Sequence, residues 1–319
     1  MRSSHTSPQA SHLDEVQGSL ATRWTRRLAQ RERPTDDDLV AHLLRIHRTH
    51  PGFTESCAGR CRDCDGKTTY ERLADHVEPG RTRRVLDLAC GSGPLTELCW
   101  ERHGDAIELI GVDMSPDELE LARSRLAGTS VQLHEALAQD LDCMESGSVD
   151  LVLCHWALTL MKPITPVLTE VARVLRPGGR FVAIVDGEAG LSADYDALNA
   201  LVFATIRDCV PGYGTIDLGD PRARTITALE PLLLEAFGPG SRMESHARLV
   251  GLDGPAGEVA REAVGFFYAA LILGAPALAG LEQAATALLS QDGDSAGSCR
   301  FEMPITEVIV QKSAAVSQA

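Results

Sequence analysis

From Arg83 onward, short apolar runs alternate with segments whose apolar residues recur every three or four positions. The runs RRVLDLAC, IELIGVD, SVQLHE, VDLVLC and RFVAIVD read as five strands. Between them PLTELCWERH, SPDELELARSRL and ITPVLTEVARVL read as helices, the second opened by a Ser cap with acids in its first turn. RPGG closes the third helix, with Gly supplying a left-handed turn. Strands separated by helices predict a mostly parallel sheet covered on both faces, a doubly wound α/β fold. After Asp186 the rhythm loosens into helical segments, DYDALNALVFATIRDC and TITALEPLLLEAF, joined by a Gly-rich connection. MESHARLVG and FEMPITEVIVQK then return as strands, giving seven in all. Upstream, Thr35 and three Asp open the helix TDDDLVAHLLRIH, which Pro51-Gly52 ends.

The resulting division is a flexible tail over 1–34, a helical N-terminal cap over 35–82 and a ligand-binding core over 83–190. A helical lid insertion over 191–240 and a C-terminal completion of the core sheet over 241–319 follow. Composition narrows the function. With 30 Lys and Arg against 45 Asp and Glu, the 319-residue chain carries a formal charge of −15. Such a surface repels nucleic-acid backbones and anionic lipid, so neither partner is expected. The uncharged stretch 263–281 is broken by Gly-Ala-Pro at 274–276 and reads as buried helix, not membrane span. The N-terminal residues lack the apolar run of a signal peptide, and a cytoplasmic protein is expected. Cys57, Cys61 and Cys64 have a spacing compatible with metal; no metal is the first expectation, zinc the second and an iron–sulfur cluster the third.

Chemistry concentrates in Val85-Leu86-Asp87-Leu88-Ala89-Cys90-Gly91-Ser92-Gly93. A strand that ends in Gly-x-Gly before a helix lets a ligand approach the backbone. Asp113 closes the second strand 22 residues after Gly91 (113 − 91), where a carboxylate accepts hydrogen bonds from a ribose diol. A dinucleotide site asks for a third glycine, but Thr96 stands there. Asp87 beside the loop suits a cationic ligand better than a pyrophosphate. S-adenosylmethionine has an ammonium, a sulfonium and a ribose, and no phosphate.

VLDLACGSGPLTELC, IGVDMSPDELELARSRL, SVDLVLCHWALTLM and VARVLRPGGRFVAIVD, in that order, resemble the class I S-adenosylmethionine-dependent methyltransferases. The resemblance implies a Rossmann-like seven-stranded, mostly parallel sheet with a reversed last strand, FEMPITEVIVQK. It implies that Asp87, Ala89, Gly91 and Gly93 surround the methionine part of the cofactor, with Asp113 on the ribose and Met114 on the adenine. Ala136, Leu137 and Ala138 are expected against the adenine, whose amino group is left to Glu135, Asp140 or backbone groups. Cys154, His155 and Trp156 end strand four next to the reactive end. His155, Glu188 and Tyr70 are the catalytic candidates, and Trp156, Asp186, Tyr195 and Tyr213 the substrate-binding ones. Each also has a plainly structural reading. The expected activity is methyl transfer to a small-molecule acceptor of secondary metabolism, an amine or guanidine nitrogen preferred on the strength of Asp186 and Glu188. A homodimer is compatible with all of this. A binding module without catalysis and a nicotinamide-dependent oxidoreductase are the alternatives.

Overall fold

The computed structural model describes residues 21–216, 218–292 and 297–314. The first part of the expected tail, 1–20, and Asp217, within the expected lid insertion, lie outside them.

Two compact units are built from non-contiguous stretches: one from 1–49, 193–217 and 252–301, the other from 50–192, 218–251 and 302–319. The second holds the sheet. Its strands are β1 (Arg84–Leu88), β2 (Glu108–Asp113), β3 (Gln132–Glu135), β4 (Val149–His155) and β5 (Leu175–Asp186). β6 (Arg242–Pro255) and β7 (Ser298–Gln311) each run on into the other unit. The order is β3-β2-β1-β4-β5-β7-β6. β1 to β5 are parallel, and β7 runs antiparallel to β5 from Arg180↔Gln311 to Asp186↔Ile305. Val85, Leu86 and Leu88 of β1 and Val152, Leu153 and Cys154 of β4 are fully buried, so these strands show no apolar–polar alternation.

The helices of this unit are α3 (Phe53–Arg60), α4 (Thr69–Ala74), α5 (Pro94–His103), α6 (Pro116–Arg125), α7 (Ile164–Val174) and α9 (Ile226–Phe237). α7 shows why the pattern was legible: Ile164, Val167, Leu168, Val171 and Ala172 form one apolar stripe, buried in the core with Phe181, Leu229 and Leu233. One boundary differs from the expectation. Strand five begins at Leu175 instead of Arg180, because Arg176–Gly179 form a bulge between the register pairs Val149↔Leu175 and Leu151↔Arg180. Gly179 is required there: a Cβ would stand 2.9 Å from the Arg176 carbonyl oxygen.

The other unit holds α1 (Arg23–Ala29), α2 (Asp36–Thr49), α8 (Ala193–Cys209), α10 (Ala256–Phe266) and α11 (Ala275–Leu289). Residues 23–29, assigned to the tail from sequence, are a helix with Trp24 and Leu28 buried. Trp24 stacks on His42 of α2 at a 4.9 Å centroid separation. Thr22 caps α1 and its hydroxyl lies 2.9 Å from His42 Nδ1. The boundaries also differ elsewhere: 50–82 belongs to the sheet unit, and most of 252–301 is helical instead of completing the sheet. No described helix is long and apolar enough to cross a membrane.

Candidate active site

The carboxyl ends of β1, β2, β4 and β5 carry the candidate chemistry. After β1 the chain enters left-handed conformations at Ala89 (φ 59°), Gly91 (φ 53°) and Gly93 (φ 84°), and Pro94 then starts α5. The positive φ of Ala89 is unusual for a residue with a Cβ, and such strain persists only where neighbours impose it. They do so here. Cys90 N–H donates to the Val112 carbonyl at 3.0 Å. Gly91 N–H donates to Asp113 Oδ2 at 2.9 Å, and Ser115 N–H to Asp113 Oδ1 at 2.8 Å. Asp113 thus holds the loop and the start of α6 at once. A Cβ on Gly93 would stand 3.3 Å from that of Ala122, so this glycine permits close packing of α6.

Asp87 is 2% exposed, and its Oδ2 accepts the Thr96 hydroxyl at 2.6 Å. Thr96 occupies the third-glycine place of a dinucleotide loop and spends its side chain on the carboxyl. Among the described residues Asp87 has no ion-pair partner. Burial pushes it up to about 7, with Asp113 adding to the rise and the Thr96 bond opposing it. A buried carboxyl without a counter-charge suits a cationic ligand and not a phosphate. By this test the residues present fit S-adenosylmethionine.

The remaining cofactor candidates fall into two sets. Met114 is half-buried at the end of β2. Ala136 N–H donates to the Asp113 carbonyl at 3.0 Å, which sets Ala136, Leu137 and Ala138 beside it; Glu135 and Asp140 are exposed. Cys154 differs from the expectation for its side chain. The thiol is packed in the core and burial pushes it up to about 12, so its side chain is not offered at the strand edge.

At the β4 edge His155 Nε2 lies 2.7 Å from the Thr69 hydroxyl. The Tyr70 ring stacks on His155 at 4.1 Å, and Trp156 stands edge-on to it at 5.3 Å. Burial lowers His155 to about 3, so the imidazole is neutral. Burial, with the Glu55 and Asp87 charges, raises the Tyr70 phenol above its usual range. Trp156 sits at φ 56°, fixed by its N–H to the Ile184 carbonyl at 2.9 Å. Its side chain hydrogen-bonds Asp186, whose carboxyl burial raises while Arg224 and Trp156 pull the other way. Arg224 Nη1 is 3.4 Å from Asp186 Oδ2. Tyr70, His155, Trp156 and Asp186 are therefore brought together.

Glu188 is exposed in the turn after β5. Tyr195 and Tyr213 belong to the other unit, where Tyr195 stacks on Phe267 at 5.9 Å and buried Tyr213 meets Trp24 at 5.5 Å. Cys57 and Cys61 Sγ are 3.7 Å apart, whereas Cys64 is exposed. Among the described residues no group of three or more His, Cys, Asp and Glu is gathered as a metal ion needs.

Sequence reasoning missed Thr69, Thr96 and Arg224. Only Thr96 left a signal, as the non-glycine in an otherwise glycine-rich loop.

Residues 85–179 match the family model described as a methyltransferase domain. Demethylmenaquinone methyltransferase of Deinococcus radiodurans is 30% identical over 171 residues, which are 53% of this chain and 67% of that protein. This chain is a class I S-adenosylmethionine-dependent methyltransferase by family. The demethylmenaquinone methyltransferase of Symbiobacterium thermophilum is 36% identical over 34% of this methyltransferase-family chain and 44% of its own length. An uncharacterized methyltransferase of Mycobacterium tuberculosis is 40% identical over 36% and 45%. The chain thus spans less than half the length of these two curated relatives. Among solved structures, a putative methyltransferase from Bacillus halodurans aligns with TM-score 0.52 at 14% identity, covering 77% of this chain and 99% of that one. The cyclase SpnF aligns with TM-score 0.54 at 18% identity, covering 88% and 98%. These two likenesses concern the fold.

Proposed function

We propose that this chain transfers a methyl group from S-adenosylmethionine to a small-molecule acceptor. The observation that carries this reading is the buried, uncompensated carboxyl of Asp87 beside a left-handed glycine loop. When bound, the cofactor supplies a methyl group already activated on a sulfonium. Asp87 faces its cationic part, and Asp113 accepts hydrogen bonds from its ribose while keeping Gly91 and Ser115 in place. Met114 and Ala136–Ala138 line the adenine side.

The protein's remaining task is to hold the nucleophile in line and dry. Tyr70, His155 and Trp156 wall the reactive side. A histidine that is protonated only near pH 3 is a poor base at neutrality, so His155 orients the acceptor instead of deprotonating it. Asp186 is the better proton acceptor. Its guanidinium partner changes the acceptor class: with Arg224 at 3.4 Å, Asp186 does not offer the net negative charge that would recruit an ammonium. Neutral acceptors whose nucleophile sheds a proton, a hydroxyl above all, fit this pair better than the amine or guanidine that Asp186 suggested by itself. The Deinococcus and Symbiobacterium relatives bear the name of a quinone-type acceptor, which agrees with a small molecule.

Two measurements test this. Isothermal titration should show micromolar or tighter binding of adenosylhomocysteine and none of NADH. Radiolabelled methyl from S-adenosylmethionine should then appear in a phenolic or enolic member of a metabolite panel. NADH binding with no adenosylhomocysteine binding rejects the reading. Tight cofactor binding without transfer to any panel member favours a binding module, and transfer confined to amines rejects the acceptor class.

A further inference from the structure

The stretch from Pro51 into α3 meets the glycine loop and α6, and its polar contacts converge there. Gly52 N–H donates to Glu118 Oε1 at 2.9 Å. The hydroxyl of Ser92, between the two loop glycines, donates to Glu55 Oε2 at 3.0 Å. Arg125 Nη2, at the end of α6, lies 2.8 Å from each oxygen of the same carboxylate. Arg125 Nε also reaches Glu97 of α5 at 3.5 Å. Glu55 therefore ties the loop to the helix after β2, and Arg125 extends the tie to the helix after the loop.

Two further features make this more than a surface ion pair. Ser92 is 4% exposed, so its hydroxyl has to be satisfied within the protein. Gly52 is at φ 72°, and a Cβ there would lie 3.6 Å from Leu121 Cδ1 and 3.8 Å from Ser92 Oγ, which places this turn of the chain directly on the loop. The loop itself runs through left-handed residues at 89, 91 and 93, a shape that needs outside support.

We propose that Glu55 is a positioning residue for the cofactor: through Ser92 it holds the glycine loop in its binding shape, and through Arg125 it fastens the Gly52–Arg60 stretch on that loop, so that ligand release waits on this clasp opening. The inference rests on the reading that the loop holds S-adenosylmethionine. Neither a motif nor the charge pattern pointed to it, because Glu55, Ser92 and Arg125 come from separate segments.

Displacement of radiolabelled adenosylhomocysteine from the full chain measures the release rate directly. Glu55→Ala and Arg125→Ala should speed release by roughly tenfold or more, with a smaller change in association. Ser92→Ala should speed it by a lesser factor, and Glu55→Gln, which still accepts from Ser92, should recover part of the loss. The double variant Glu55→Ala/Arg125→Ala should be no faster than the quicker single, as for partners in one contact. Arg81→Ala, at an exposed pair with Glu78, should change nothing. Melting temperatures of the same variants separate folding from release. Release within about twofold of wild type in folded Glu55→Ala and Ser92→Ala overturns the clasp, whatever their melting temperatures. Should Glu55→Ala not fold, Ser92→Ala and Glu55→Gln decide. A wild-type chain that does not bind adenosylhomocysteine rejects the cofactor reading itself, whereas wild-type binding with unaltered variants rejects only the clasp.

Discussion

Asp87 shows how one side chain couples stability to binding. Its pKa in the folded chain is raised from 3.8 to about 7, chiefly by burial. The unfolded chain therefore holds the proton less tightly, and the stability linked to this group is present at low pH and lost as pH rises towards 7. At about pH 8, Asp87→Asn should accordingly raise the thermal midpoint of the ligand-free protein, by roughly 1–2 kcal/mol in free energy, while weakening cofactor binding. A lowered midpoint would contradict this. The same carboxyl predicts that adenosylhomocysteine binding tightens between about pH 6 and pH 8, and that the trend flattens in the variant; titration calorimetry across that range reads both. Asp113→Ala should weaken binding by roughly 1–3 kcal/mol through lost charge-assisted bonds to ligand and loop.

Single elements depend on contacts that their own composition does not reveal. Gly111 lies in β2, where a Cβ would stand 2.7 Å from Leu133 Cδ2 and 2.9 Å from Cys90 Sγ. Gly111→Ala should destabilise by roughly 1–3 kcal/mol in denaturant titration, because Leu133 and the buried Cys90 would both have to shift. In α2, His42 is fully buried against Trp24, and burial lowers it from 6.5 to about 4. A base held neutral in the fold stabilises fully above its unfolded pKa, and the contribution is lost as pH falls from about 6.5 towards 4. Melting curves of wild type and His42→Leu should therefore differ in slope across that window, the variant being flatter. The bulge in β5 belongs to this scale as well. Arg-Pro-Gly-Gly reads locally as the end of a helix, and only pairing with β4 draws Leu175 into the strand.

Across the whole molecule, two units are assembled from interleaved stretches of chain. The succession of strands and helices was legible because both-face burial leaves continuous apolar runs and helices between them leave a period of 3.6. The interleaving was not, since an amphipathic helix such as α10 or α11 states that one face is buried without stating against what. Tyr195 and Tyr213, expected at the pocket from their place in the chain, fall in the unit of these helices, where they meet Phe267 and Trp24.

The sequence by itself determined the alternation of strands and helices, the Gly91–Gly93 turn, the acidic residues closing β1 and β2, and hence the family and its ligand. Each of these is written within a few neighbouring residues, where periodicity and backbone conformation act. Tertiary structure decided which side chains meet: Thr96 on Asp87, Thr69 on His155, Arg224 on Asp186, and Glu55 on Ser92 and Arg125. The last three of these join residues from separate segments, and it is the docking of those segments that brings a guanidinium to a buried carboxyl, a hydroxyl to a buried imidazole, and a serine and an arginine to one glutamate.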